Sequence, residues 1–386
     1  MRAVRAWAEI DLDALDRNLS RIRSRAGAGC EVMLVVKADA YGHGAVEVAR
    51  AAQARGLRTF CVGTAEEAVE LRRAGIAGRI VLLGTLVDGE AEDVLAHGVE
   101  ICVHSSDRCL RLDELARSRG DRARVHLNVD TGMGRLGVPP ERALALQDEI
   151  RARRGLELVG LMTHVAASGG LDDPGGRAQV ERFDALCRRL QHGAALPRHV
   201  HAANSACLFT AGERRFTAVR PGIAAFGMLP GHLAGAELLE PVLSLRTRVV
   251  FFKDVPAGTP VGYDGTWSAA RDSRIATLPI GYNDGMPWRS GNRAEVLVRG
   301  RRVPVVGRVS MDYTTIDVTD VVGVEVGDEV VVIGRQGDEE VTANEVARAA
   351  GTIAYEITCS IGRRVPRIPV RSSDRDAIVP AVARSG

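Results

Sequence analysis

Lysine is nearly absent from this chain of 386 residues: of its 51 basic side chains only Lys37 and Lys253 are lysines, and the rest are arginines. Chemistry that needs a primary amine therefore has two candidates. A dominant charge of one sign is also missing, because 49 acidic residues leave a formal net charge of +2. Basic residues interspersed with acids provide no cationic field for a nucleic acid or an anionic membrane. No apolar run approaches the roughly 20 residues that span a bilayer. The seven cysteines are scattered, without a Cys-x-x-Cys pair, which argues against a disulfide framework or a zinc site and for thiols kept reduced. Glu9, Asp11, Asp13 and Asp16 stand where a signal peptide would need its apolar stretch. The expected protein is soluble, cytoplasmic and free of metal. A hydrophobic fraction of 46% over this length supplies ample material for a core.

What is present is ordered. Eight short apolar runs lie at 32–37, 59–63, 80–84, 100–104, 125–130, 158–164, 199–205 and 218–227, separated by amphipathic stretches such as 45–56, 64–75, 141–155 and 179–193. Runs buried on both faces, each followed by a crossover helix, describe parallel strands. Eight of them predict a closed (β/α)₈ barrel of the TIM type, with an open doubly wound sheet as the alternative. Beyond the Gly/Pro-punctuated stretch 228–241 the strand candidates are closely spaced, with one helical pattern at 342–351. The expected division is an N-terminal strand, 1–10, pairing with the C-terminal domain, a cofactor-binding barrel over 11–235, and a mostly β domain over 236–386.

In such a barrel, function gathers where strands end. Lys37 and Tyr41 follow the first run, Arg135 the fifth, His164 closes the sixth, Asn204 and Ser205 follow the seventh, and Arg220 lies in the eighth. A desolvated lysine is suited to forming a Schiff base with an aldehyde; equally, Lys37 can pack its stem on the barrel and reach water. Amides at Gly222 and Ile223 can approach an anion in the loop region where this fold commonly binds phosphate, or simply cap a turn. His164 reads as a catalyst or a satisfied core histidine, and Arg135 as an inward anion contact or a surface residue.

Taken together the motifs VVKADAYGHG, VDTGMGRLG, THVAAS, HAANSA, RPGI, VGYDGTW, GYNDG, GRVSMD and AYEITCSIGRRVPR resemble, in order and over nearly the whole chain, the pyridoxal-phosphate-dependent alanine racemase family. The resemblance implies a barrel plus a β domain, a homodimer with active sites shared between subunits, and interconversion of L- and D-alanine for cell-wall precursors. It implies that Lys37 holds the cofactor and acts as one acid/base group, with Tyr263 of the partner subunit as the other and His164 serving that tyrosine. Arg220 would face the pyridine nitrogen, and Tyr41, Ser205, Gly222, Ile223 and Tyr355 would bind the phosphate, beside Asn204. Arg135 would contact the cofactor's phenolic oxygen and, with Met311 of the partner subunit, the substrate carboxylate, and Asp312 and Tyr282 would line the entrance.

Two departures stand out. Asn128 occupies the position where many members carry a lysine able to become an anion, so a chloride is expected beside Asn128 and Arg135, because a buried unpaired guanidinium is costly. Phe226 stands where tyrosine is common, a change of packing. Alternatives are a broad-specificity racemase or a decarboxylase on the same fold, and a non-catalytic pyridoxal-phosphate-binding protein that would share only the barrel.

Overall fold

The protein is described by a computed structural model covering residues 4–193, 195–210, 216–229 and 233–373. The boundary expected near residue 235 and the stretch 228–241 fall partly on residues 230–232, outside the described residues, as do residues 1–3 and 374–386 of the expected terminal segments. The chain forms two compact units. One comprises Asp16–Ala40 and Ala45–Glu240, and the other the described residues of Met1–Leu15, Tyr41–Gly44 and Pro241–Gly386.

The first strand, β1 (Ala6–Asp11), belongs to the second unit. The first unit contains β2 (Glu31–Val35), β3 (Thr59–Val62), β4 (Arg79–Leu82), β5 (Glu100–Val103), β6 (Ala123–Asn128), β7 (Leu156–Met162), β8 (His199–His201) and β9 (Ala218–Val219). These pair in order and in parallel, and β2 also pairs with β9, which closes the barrel and excludes the open sheet. β3 and β5 are buried at every residue. That explains why they read as continuous apolar runs rather than alternating ones.

The crossover helices follow their local signals. Ala65–Arg73 begins with a capping box in which Thr64 accepts from the Glu67 amide and Glu67 answers to the Thr64 backbone. Every barrel strand ends somewhat before its apolar run does, and two stop well short of it. β8 stops at His201 because Asn204 caps the helix Ser205–Thr210, its Oδ1 accepting from Cys207 N at 3.0 Å. β9 stops at Val219, shortly before Pro221, which has no N–H for the ladder. The chain then turns through the 3₁₀ segment Ile223–Phe226, with Phe226 fully buried.

In the second unit the main sheet has the order Arg301–Pro304, Glu295–Val298, Glu329–Gln336, Leu243–Arg248, β1, Arg367–Val370, with Glu339–Val341 joined to Glu329–Gln336. β1 runs antiparallel to Leu243–Arg248 and parallel to Arg367–Val370. A three-stranded sheet orders Phe251–Val255, Ser273–Leu278 and Thr314–Asp317. Lys253 is exposed on the first of these strands. The helix Ala343–Ala350 starts at a Thr342–Glu345 capping box and ends at left-handed Gly351. A further helix, Ala354–Cys359, gave no periodic signal in the sequence.

Among the described residues no helix is long and apolar enough to cross a membrane, and no cluster of His, Cys, Asp and Glu could hold a metal ion. No disulfide forms among them: Cys61, Cys102, Cys109, Cys187 and Cys207 are buried thiols, while Cys359 is exposed.

Candidate active site

Lys37 lies two residues past the end of β2 and is half-buried. The backbone that follows is unusual. Ala38, Asp39, Ala40 and Tyr41 all have φ between 51° and 55°, a turn of left-handed helix made of non-glycine residues. Each such residue costs roughly 1–2 kcal/mol through crowding of Cβ against the following carbonyl. The turn is held by neighbours. Ala40 N donates to Val36 O at 2.8 Å, and the Glu67 carboxylate accepts from Ala38 N at 2.6 Å and Gly63 N at 2.7 Å. A Cβ on Gly63 would meet the Lys37 side chain at 3.5 Å, so the lysine stem lies along that glycine.

Within the barrel unit the strand ends bring several expected residues together. His164 is held down to about 3 by burial first, and then by the positive charges of Arg220, Arg135 and Lys37. Those three cations therefore converge on one imidazole, which stays neutral and can serve as a hydrogen-bonding group but not as a cation. Arg220 is buried and touches no carboxylate among the described residues. Its Nη1 donates to His201 Nδ1 at 2.6 Å and His201 O at 2.8 Å, and its Nη2 to Thr163 O at 2.7 Å and Ala202 O at 3.3 Å. The fifth N–H, on Nε, makes no hydrogen bond among the described residues.

The loops after β8 and β9 meet at Ser205, whose Oγ accepts from Gly222 N at 3.0 Å and Ala224 N at 3.2 Å. The Ile223 amide between them, in a residue 1% exposed, makes no hydrogen bond among the described residues. Asn204 is occupied by structure: it caps the Ser205 helix and donates to Val165 O at 3.2 Å. Arg135 is exposed in the single chain, and Asn128 is buried at the end of β6.

The second unit carries the remaining expected residues. Tyr41 is buried and meets Tyr355 edge to face with ring centroids 5.9 Å apart. Burial pushes the Tyr355 phenol up to about 12, which keeps it a hydrogen-bond donor. A Cβ on Gly42, where φ is +82°, would lie 2.0 Å from Thr358 O in the helix that carries Tyr355. Tyr263 is 70% exposed at the tip of the ribbon joining Pro260–Val261 and Trp267–Ser268. That turn packs on Gly307 and Arg308, and Arg308 pairs with Asp264 at 3.0 Å. Tyr282 N donates to Ser310 O and Asn283 N to Met311 O, so the Tyr282 and Met311 segments run against each other. Asp312 pairs with Arg364 at 2.8 Å. Tyr282, Met311 and Asp312 are accessible together with Tyr263.

Two groups of residues escaped the sequence reading. Glu67 was legible only as a helix cap, although its Thr-x-x-Glu spacing marks the residue that also fastens the turn after Lys37. His126, His201 and Glu100 line the barrel interior behind Arg220, and no motif marks them.

The family model described as alanine racemase, N-terminal domain, matches residues 10–230, and that for alanine racemase, C-terminal domain, matches residues 242–369. The chain is 45% identical over 362 residues to an alanine racemase of Symbiobacterium thermophilum, covering 94% of this chain and 96% of that one. It superimposes with a TM-score of 0.90 on an alanine racemase from D-cycloserine-producing Streptomyces lavendulae, 36% identical, over 96% of this chain and 98% of the other. A structure of alanine racemase from Bartonella henselae with covalently bound pyridoxal phosphate gives 0.84 at 29% identity, over 95% of this chain and all of that one.

Proposed function

The chain belongs to the alanine racemase family, and from that premise we propose how its own residues interconvert L- and D-alanine. It is an enzyme of a family that depends on pyridoxal phosphate. The match of residues 242–369 to the C-terminal domain disfavours a barrel-only carrier of that cofactor. The residues present fit the group. Two donors on buried residues, Arg220 Nε–H and the Ile223 amide, have no hydrogen-bond partner among the described residues, and a single lysine stands on the same unit at a strand end. When bound, pyridoxal phosphate supplies an aldehyde for covalent attachment and a conjugated ring that spreads negative charge away from Cα of the amino acid.

Lys37 holds that aldehyde and moves a proton on one face of Cα. Tyr263, supplied by a partner protomer, moves a proton on the other face. Two groups are required, because racemisation takes a proton from one side of a planar carbon and returns one to the opposite side. Positioned acid/base groups of this kind each contribute roughly 10²- to 10⁴-fold. His164, neutral, accepts or donates a hydrogen bond beside the tyrosine. Arg220, whose Nε–H has no partner among the described residues, would face the ring nitrogen and, as an arginine cannot give up that proton in practice, would leave the nitrogen unprotonated. Ser205, Gly222 and Ile223 would hold the phosphate, and Tyr41 and Tyr355 are assigned to it by the family resemblance. Asn204 positions Ser205, and Arg135 and Met311 contact the substrate carboxylate at an entrance formed by Asp312 and Tyr282.

The observation that carries this reading is that Lys37, Arg135, His164 and Arg220 all follow the C-terminal ends of parallel strands, at one end of the barrel. The homodimer is supported by the exposure of Tyr263, Tyr282 and Met311 on one unit, since a second copy is needed to enclose them. The chloride beside Asn128 was expected because an unpaired buried guanidinium is costly. Arg135 is exposed in the single chain, so that cost arises only once a partner covers it. An anomalous-scattering map of the dimer without a halide peak there removes the chloride.

The test is borohydride reduction of the yellow, cofactor-loaded protein followed by peptide mapping. The label belongs on Lys37; a label on Lys253 refutes the assignment. Tyr263→Phe should slow deuterium exchange of one enantiomer of alanine far more than of the other, and equal losses would remove Tyr263 from its role.

A further inference from the structure

Behind Arg220 the barrel interior holds a row of polar groups that the reaction above does not use. An arginine can only donate hydrogen bonds, so the contact of 2.6 Å between Arg220 Nη1 and His201 Nδ1 makes that nitrogen an acceptor and places the His201 proton on Nε2. His201 Nε2 lies 2.9 Å from His126 Nδ1, which must therefore accept, and the His126 proton sits on Nε2. His126 Nε2 in turn lies 2.9 Å from Glu100 Oε2, where the proton is donated to a carboxylate. Three hydrogen bonds thus run in one direction from guanidinium to carboxylate, through two neutral imidazoles whose tautomers are both determined.

The far end is anchored. Arg79 grips Glu100 with two contacts of 2.9 Å and reaches Glu31 at 3.2 Å, and Glu31 accepts from His199 at 2.9 Å and from the Thr59 hydroxyl. Arg124 approaches Glu100 at 3.6 Å from outside the row. The thiols of Cys61, Cys102 and Cys207, all buried and held protonated, and the neutral imidazole of His164 are the other titratable groups near Arg220. His126, His201, Glu100 and Arg220 are each 3% exposed or less.

Two features of the backbone make room for this row. The register of β6 against β7 shifts between Val125 and His126, and such an irregularity re-aims a side chain. Opposite it, a Cβ on Gly160 of β7 would fall 1.9 Å from His126 Nδ1. Only glycine leaves space for the imidazole, as is common where a strand glycine allows close approach.

We propose that Glu100, His126 and His201 are positioning residues for Arg220: through them a buried guanidinium that touches no carboxylate is tied to one across the barrel core, and its rotation is set so that Nε–H is the donor left for a ligand. This rests on the reading that Arg220 faces the ring nitrogen of the cofactor. The row has room for one proton on each imidazole. A second proton on either would turn an N–H toward another N–H and break a link, so the row holds Arg220 in one orientation and does not pass protons to the site.

The test uses the full chain, with and without cofactor, and has two readouts. Nitrogen-15 spectra of labelled histidines, assigned with His126→Gln and His201→Gln, should give Nε2–H tautomers for both residues, unchanged between pH 6 and 9. The nitrogen-15 shift of ring-labelled pyridoxal phosphate should report an unprotonated nitrogen in the parent protein and move toward the pyridinium position in His126→Leu and Gly160→Ala. It should return in His126→Gln, whose amide can accept from His201 and donate to Glu100. Circular dichroism on each variant separates this from misfolding, and His126→Leu serves where Gly160→Ala does not fold. An Nδ1–H tautomer or a charged imidazole overturns the proposal, and so does an unmoved ring signal in a folded His126→Leu. A protonated ring nitrogen in the parent protein, with both tautomers as stated, overturns instead the reading that Arg220 faces it, and the positioning role falls with it.

Discussion

The left-handed turn after Lys37 can be tested by a substitution that normally destabilises. Ala38 is exposed and has φ of 51°, so replacing it with glycine removes a Cβ that costs roughly 1–2 kcal/mol in this conformation. Glycine also loses more freedom on folding, a penalty of roughly 0.5–1 kcal/mol. The difference leaves Ala38→Gly neutral to about 1.5 kcal/mol more stable. Ala185, exposed in the helix Pro174–Gly193, provides the control, because glycine in a right-handed helix costs about 0.8–1 kcal/mol. With an unfolding entropy of about 2.1 cal/mol/K per residue, a chain of 386 residues shifts its midpoint by about 1 °C per kcal/mol. Scanning calorimetry at one protein concentration should find Ala38→Gly unchanged or up to about 2 °C higher, and Ala185→Gly about 1 °C lower. If both fall by the same amount, the turn stores no strain. The stabilised variant should also bind cofactor more weakly, since its turn is free to leave the conformation that places Lys37 and Tyr41.

Two further outcomes follow from the same site. Gly42→Ala places a Cβ 2.0 Å from Thr358 O, so the backbones must part by more than an ångström, and its φ of +82° adds roughly 1–2 kcal/mol of strain; fluorescence titration with pyridoxal phosphate should find affinity lowered at least tenfold, and an unchanged value would mean that the Tyr355 helix does not depend on this contact. His164 is held at about 3 in the folded chain, against about 6.5 when unfolded. Below pH 6.5 the unfolded state binds the extra proton, so stability present at neutral pH is lost as pH falls toward 3, by at most about 1.4 kcal/mol per unit. His164→Asn should flatten that limb of the urea midpoint against pH, and an unaltered limb would place the acid sensitivity elsewhere.

Much of the barrel was legible because its strands are buried on both faces, so each reads as an apolar run whatever its partners. Strand ends were less legible: β8 and β9 are shortened by Asn204 and Pro221, whose effects depend on a cap and a missing donor rather than on hydrophobicity. Lys37 was visible because lysine is so rare here. The turn beyond it was not, since Ala, Asp, Ala and Tyr have no common preference for positive φ, and the conformation is imposed by Glu67 and the packing of its neighbours. The row behind Arg220 was hidden for a different reason. Glu31, Arg79 and Glu100 stand at the first positions of their strands, where charged residues ordinarily face water, and only the closed barrel turns them inward. One signal was available: Gly160 interrupts an apolar strand, and an isolated strand glycine marks a close approach.

The barrel core also separates two uses of charge. Arg79 and Arg220 are balanced by Glu31 and Glu100, with the imidazoles of His126 and His201 neutral between the two ends. Apolar residues of equal volume would be at least as stable as such a buried network, so its benefit has to lie in orientation rather than in stability. Removing Glu100 alone should then be worse than replacing Glu100, His126, His201 and Arg220 together by apolar residues, because it leaves the Arg220 guanidinium in the core without a counter-charge. The groups assigned to move protons are placed differently: Lys37 is half-buried and Tyr263 is exposed until a partner covers it. Mobile protons are thus assigned to groups that solvent or a partner can reach, and the group assigned to keep its proton is held from within the barrel by contacts that only donate away from it.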